Sequence, residues 1–132
     1  MTRVFTQSHA KKLGLPGRNS LEMVSGESGA KSVTLWLVEI PVPHPDETLR
    51  EPHMHRDCEE CIFVLSGQGT THADSGEYPL KAGDAILISA GESHVTRNTG
   101  AEPLVLLCFF PLADITAGMQ ENSSSTRAKQ NS

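Results

Sequence analysis

His53-Met54-His55-Arg56-Asp57-Cys58-Glu59-Glu60-Cys61-Ile62-Phe63-Val64-Leu65-Ser66-Gly67 is the stretch on which the fold turns. In a β-strand, residues two apart point to the same face, roughly 6.8 Å apart along the backbone. His53 and His55 can therefore aim into one cavity. Glu60 lies an odd number of positions beyond His55, so an unbroken strand would turn its carboxylate the wrong way. Residues 56–59 must turn or bulge to return Glu60 to the inner face, with Ile62 and Val64 lining the cavity beneath it. A second stretch runs from Gly83 through Gly91 to His94 and Asn98. His94 opens a separate strand there, and its same-face neighbours are Thr96 and Asn98.

Working outward, short strands recur between turn signals. Val33 to Ile40 is rich in β-branched and aromatic residues, and Pro41, Pro43 and Pro45 then force an extended loop. Glu60 to Leu65 closes on Ser66-Gly67. Thr70 to Ala73 and Glu77 to Leu80 flank Asp74-Ser75-Gly76, which reads as a hairpin. Ala85 to Ile88, His94 to Arg97 and Leu104 to Phe110 follow, each bounded by Gly, Asn or Pro. Such spacing, with no helical period of useful length, indicates an all-β sandwich or barrel.

The 132 residues suit one domain. Residues 1–20 read as a polar N-terminal segment that packs on the barrel or on a partner, 21–115 as the barrel, and 116–132 as a disordered polar tail. Phe63 and Leu65 would face outward and need a cover, either the N-terminal segment or a second subunit; a homodimer is the expectation. A net charge of −5 and no basic cluster argue against nucleic acid and anionic membranes as partners. No apolar run approaches the ~18 residues of a membrane span, and no signal segment opens the chain, so a cytoplasmic protein is expected. Three cysteines, an odd number, suit a reducing compartment.

His53, His55, Glu60 and His94 together have the character of a site for one divalent first-row transition metal (Mn, Fe, Co, Ni, Cu or Zn). Four protein ligands leave one or two coordination positions for a small-molecule substrate. The absence of thiolate from the set disfavours a structural zinc site.

These residues resemble the cupin superfamily, the small double-stranded β-helix (jelly-roll) barrels with two short motifs. The first motif, Gly-x5-His-x-His-x3–4-Glu-x6-Gly, is matched by His53, His55, Glu60 and Gly67. The second, Gly-x5-Pro-x-Gly-x2-His-x3-Asn, is matched by Gly83, Gly91, His94 and Asn98. Glu47 stands at the first Gly position and Ser89 at the Pro position; both are turn positions, not ligands. Fifteen residues separate Gly67 from Gly83, the short spacing of compact single-domain members. The resemblance covers about residues 33 to 111 and implies that His53, His55, Glu60 and His94 are the metal ligands.

Other polar residues have plainer readings beside the functional ones. His72 is a weak catalytic candidate, a proton-transfer group should it reach the cavity. His44 could belong to a lid, and Arg50 could steer an anionic substrate. Asn98 suits a turn before Thr99-Gly100. Cys58 and Cys61 have redox-motif spacing, but no helix start follows to lower a thiol pKa; packing for Cys61 and a loop thiol for Cys58 are expected. Cys108 and Trp36 read as core.

Cupins host many reactions, so fold alone does not name one. The leading expectation is a metal-dependent oxidoreductase of the dioxygenase type acting on a substrate that chelates through adjacent oxygens. A lyase or isomerase acting on a carbonyl, carboxylate or sugar is the alternative, and it needs a base such as His72. A non-catalytic small-molecule-binding cupin is the third.

Overall fold

The structure, a computed structural model, describes residues 1–47, 49–115 and 119–121. Eleven strands occur among them: β1 (Lys11–Lys12), β2 (Asn19–Val24), β3 (Thr34–Ile40), β4 (His53–His55), β5 (Glu60–Ser66), β6 (Gln68–Ala73), β7 (Gly76–Lys81), β8 (Ala85–Ile88), β9 (His94–Asn98), β10 (Leu104–Phe110) and β11 (Met119–Glu121). They form a six-stranded sheet, β1-β2-β3-β10-β5-β8, and a five-stranded sheet, β11-β4-β9-β6-β7. Every pairing is antiparallel. The fold is an all-β jelly-roll barrel. No helix among the described residues is long and apolar enough to cross a membrane.

Period-two alternation decides which side chains fill the space between the sheets. On β10, Leu104, Leu106, Cys108 and Phe110 are buried while the residues between them are more exposed. Trp36, Val38 and Ile40 on β3 and Ile62 and Val64 on β5 follow the same rule. Each such side chain contributes about 1.5–3 kcal/mol on burial. Trp36 and Phe110, on the paired strands β3 and β10 of one sheet, meet edge to face with ring centroids 4.9 Å apart, and Phe110 reaches His55 of the other sheet at 4.8 Å.

Gly67 is the corner at which the chain leaves the six-stranded sheet at Ser66 and enters the other at Gln68. Its φ is +86°, and a Cβ there would sit 2.5 Å from the Pro103 carbonyl oxygen and 2.9 Å from Leu104 Cα. Both obstacles are backbone and cannot swing aside. Gly67→Ala is therefore expected to cost about 2 kcal/mol or more, read as a lower urea midpoint. An unchanged midpoint would show that the corner is not constrained.

Two strands fall near the boundaries read from the sequence. β2 spans Asn19–Val24, across residue 20, and pairs with β3 (Ser20↔Val38, Leu21↔Leu37). Its polar composition masks a strand that needs burial on one face only, supplied by Ser20. Within the polar tail, Met119–Glu121 pairs with β4 (Met119↔His55, Glu121↔His53). Edge pairing uses backbone groups and leaves little trace in composition. The rest of that tail, 116–118 and 122–132, lies outside the described residues.

Candidate metal centre

Three strands deliver the four side chains. β4 contributes His53 and His55, β5 begins with Glu60, and β9 begins with His94. His53 and His94 are cross-strand partners, which brings their ring centroids to 4.5 Å. The non-regular stretch 56–59 restores Glu60 to the inner face, where it is buried beside His55 and His94. Glu60 Oε1 lies 3.0 Å from His94 Nε2 and 3.3 Å from His55 Nε2. One ligand atom from each of the four residues lies within 4.8 Å of all the others.

The protonation preferences of the cluster fit a divalent cation. Burial pushes the Glu60 carboxyl up, but the contacts and charge of His55 and His94 outweigh it and hold Glu60 well below the usual carboxylate range. Burial, reinforced by the neighbouring His94, holds His53 well below 6.5, so its ring is neutral with a free lone pair. His55 is buried, and neither ring nitrogen has a hydrogen-bond partner; its approach to Glu60 is off the line of a hydrogen bond. An orphaned buried polar group of this kind costs about 1–3 kcal/mol, and a coordinated ion would remove that cost. The donor set is three imidazoles and one carboxylate, borderline-hard and suited to a first-row divalent metal.

His94 is oriented from behind. Its Nδ1 lies 3.0 Å from the Glu92 carbonyl oxygen; donation there leaves the Nε2 lone pair for an ion. The Glu92–Ser93 loop is braced by the β6–β7 turn. Asp74 Oδ2 accepts from the Ser93 amide at 3.0 Å, and Glu92 Oε2 accepts from the Ser75 amide at 3.0 Å and from its hydroxyl at 2.5 Å. The sequence marked Asp74-Ser75-Gly76 as a turn and gave no sign that it supports a ligand loop.

The contact with Glu60 raises His94 above 6.5 even though burial alone would lower it. A metal must displace that proton whenever the pH is below the raised value. Affinity should thus be constant at high pH and fall by about tenfold per unit as the pH drops below the His94 pKa, starting above 6.5 rather than below it. Titration of Co(II) or Mn(II) affinity between pH 8 and 5 checks this; an affinity flat through pH 6 contradicts it.

The other sequence candidates lie apart from the cluster. Thr71 and Thr96 share a buried hydroxyl–hydroxyl contact on the His94 face, and His72, one residue on, lies on the opposite face. There its Nδ1 sits 3.3 Å from Glu77 Oε2 on β7. His44 is exposed in the proline loop. Arg50 is half-buried and donates to the Thr96 carbonyl; burial, with Arg18 and Arg97 nearby, lowers it to about 10, so it stays charged at neutral pH. Asn98 brackets a turn, with Nδ2 donating to Ile40 O (2.9 Å) and Glu102 O (2.8 Å) and Oδ1 accepting from the Gly100 amide. Cys61 is exposed, whereas Cys58 packs in the core and is not a surface loop thiol. Cys108 is buried in the core with Trp36.

The comparisons with known proteins agree with this geometry. The oxalate-binding protein of Thermotoga maritima is 38% identical over 55 residues, covering 42% of this chain and 46% of that protein. Auxin-binding protein 1 of Arabidopsis thaliana is 32% identical over 104 residues, 71% of this chain and 50% of that protein. The chain thus spans about half the length of these curated relatives. Among solved structures, Streptomyces PAC13 with uridine superposes with a TM-score of 0.77 at 13% identity, over 93% of this chain and 92% of that one; this likeness shows the fold alone. The family model for a cupin domain matches residues 40–110, from the end of β3 through β10 and across all four clustered side chains. With that match over more than half of its length, the chain belongs to the cupin family.

Proposed function

We propose that this protein is a metal-dependent small-molecule enzyme, an oxidoreductase of the dioxygenase type acting on a substrate that chelates through adjacent oxygens. One observation carries the reading: a buried donor set, with an orphaned imidazole at His55, inside an apolar barrel. His53, His55, Glu60 and His94 would hold the ion, which when bound supplies Lewis acidity and, for Fe or Mn, access to O2 chemistry. The chain's own contribution is positional. The Glu92 carbonyl fixes His94, Phe110 packs edge to face on His55 at 4.8 Å, and the apolar walls limit water at the centre.

The sequence of the oxalate-binding relative makes small carboxylates and their enol and diol analogues the first compounds to try. Iron-loaded protein should consume O2 with at least one member of a panel of diols, enols and diketones. No uptake across the panel would sink the oxidative reading. Turnover that survives with Zn under nitrogen would replace it with a lyase or isomerase. Because His72 faces outward, such a reaction would have to find its base elsewhere.

The assembly we infer is a homodimer through the outer face of the six-stranded sheet. Phe63, Leu65, Leu87 and Phe109 are 42%, 45%, 61% and 39% exposed there. Cross-strand register joins them: Leu107 pairs with Phe63, and Cys61 pairs with both Phe109 and Leu87. Exposed apolar surface that continuous is a docking face more often than free surface. Light scattering should give twice the chain mass for the wild type and the monomer mass for a Phe63→Lys, Leu87→Lys double variant. A monomeric wild type contradicts the inference. The free cysteines accord with a reducing, cytoplasmic setting.

A further inference from the structure

Two of the four clustered side chains ride on the shortest of the three ligand strands. β4 is three residues long, and non-regular chain lies on both sides of it, at 49–52 and 56–59. Its neighbours in the sheet are β9 on one side and β11 on the other. On the β9 side the register holds one pair, His53↔His94, and the Gly91 amide donates to the His55 carbonyl at 2.9 Å. On the β11 side every residue of the strand is paired: His53↔Glu121, Met54↔Gln120 and His55↔Met119. The strand that carries His53 and His55 is thus held as much by the C-terminal strand as by the rest of the barrel. The other two ligand strands do not border β11, since β5 lies between β10 and β8, and β9 between β4 and β6.

Backbone direction shows what β11 supplies. Successive carbonyls along a strand point to opposite sides. The His55 carbonyl faces β9, where Gly91 reaches it, so the amide and carbonyl of Met54, between the two histidines, face β11. Gln120 is the residue opposite them. Without β11, β4 would be an open sheet edge with partners on one side only. β11 itself is a three-residue edge strand, and three residues separate it from Ile115, which is packed in the core at 2% exposure. So short an edge pairing opens at low cost from an anchored base, and what binds beside it can shift its docking.

We propose that docking of β11 on β4 and metal binding at the His53–His55–Glu60–His94 centre form one coupled equilibrium. The C-terminal strand straps the ligand strand in place, and a bound ion in turn holds the strap closed. The inference rests on the metal-centre reading and adds a regulatory device to that site. Such coupling is reciprocal: the factor by which the docked strap raises metal affinity is the factor by which metal favours docking. An event that draws residues 119–121 away from β4 would loosen the ion, and loss of the ion would open the β4 edge.

The test begins with the metal content of full-length protein after loading with Co(II) or Mn(II). Calorimetric titration of the same ion then compares wild type with Gln120→Pro and Gln120→Ala. Proline removes the amide opposite Met54 and does not fit a paired strand, whereas alanine keeps the backbone pairing. Gln120→Pro should lose about tenfold or more of metal affinity, and Gln120→Ala should stay within about twofold of wild type. A chain ended after Ile115 keeps the core anchor and should lose at least as much as the proline variant. Circular dichroism checks its fold, and the proline variant carries the comparison if the shortened chain does not fold. Reciprocity supplies a second readout in the unaltered full-length protein. Hydrogen exchange over 119–121 should slow by about tenfold when metal is added, a response that a strand with a structural role alone would not give.

Metal affinity at the wild-type level in Gln120→Pro, or equal losses in the proline and alanine variants, would overturn the coupling and leave the metal centre standing. Exchange over 119–121 that is indifferent to bound metal would do the same. Wild type that takes up no metal would remove the metal-centre reading and this inference together, and the metal measurement identifies that case first.

Discussion

Glu60→Gln is expected to abolish stoichiometric metal binding. The substitution keeps shape and volume but removes the single negative charge among the four clustered donors. The amide leaves one neutral oxygen where the carboxylate was, and its NH2 group would be turned toward the ion or toward His55 and His94. In the native site Glu60 Oε1 lies 3.0 Å and 3.3 Å from those two rings. Changing an outer partner of a ligand costs about 10–100-fold in metal affinity. Losing the charged ligand itself should therefore cost about 100-fold or more. The isosteric change should leave the barrel folded, so circular dichroism and calorimetry with Co(II) or Mn(II) separate the two effects. Metal affinity at the wild-type level would mean that the carboxylate is not a ligand.

The second large effect joins stability to the site. Phe110 is fully buried and meets Trp36 on one side and His55 on the other, with centroids 4.9 Å and 4.8 Å away. Phe110→Ala opens a cavity between the two sheets and should cost about 3–5 kcal/mol of stability. It also removes the surface that holds the His55 ring, so metal affinity should fall although no ligand has changed. Urea unfolding with and without metal measures both. A loss below about 1 kcal/mol would show that the core collapses around the gap, and unchanged metal affinity would show that His55 is held by something else.

The metal cluster was legible in the sequence because metal ligation is written in residue type and spacing together. His53 and His55 share a strand face by parity alone, and the odd step to Glu60 demanded the irregular stretch that the structure places at 56–59. The strands from Thr34 to Phe110 were legible for a related reason: alternating burial on β3, β5 and β10 leaves an alternating apolar pattern. β2 and β11 were not. Their strand character comes from backbone pairing with a neighbour, and Asn19–Val24 carries few of the β-branched residues that announce a strand.

The face that His72 takes was not legible for a different reason. Its nearness to the cluster in the sheet is real, but whether a residue faces in or out depends on register. The Thr71–Thr96 contact fixes that register and sends His72 outward. The Ser75–Glu92 brace joins residues on separate turns, and no local pattern records such a tertiary contact.

The central claim is that four side chains from three strands close on one cation. Crystals of protein purified without a histidine tag and loaded with Co(II) or Mn(II), measured at the metal edge, test it most directly. The expected result is one anomalous peak per chain, bonded to one nitrogen each of His53, His55 and His94 and to an oxygen of Glu60. A chain that stays metal-free under excess ion, or a peak bound elsewhere with those four side chains apart, would contradict it.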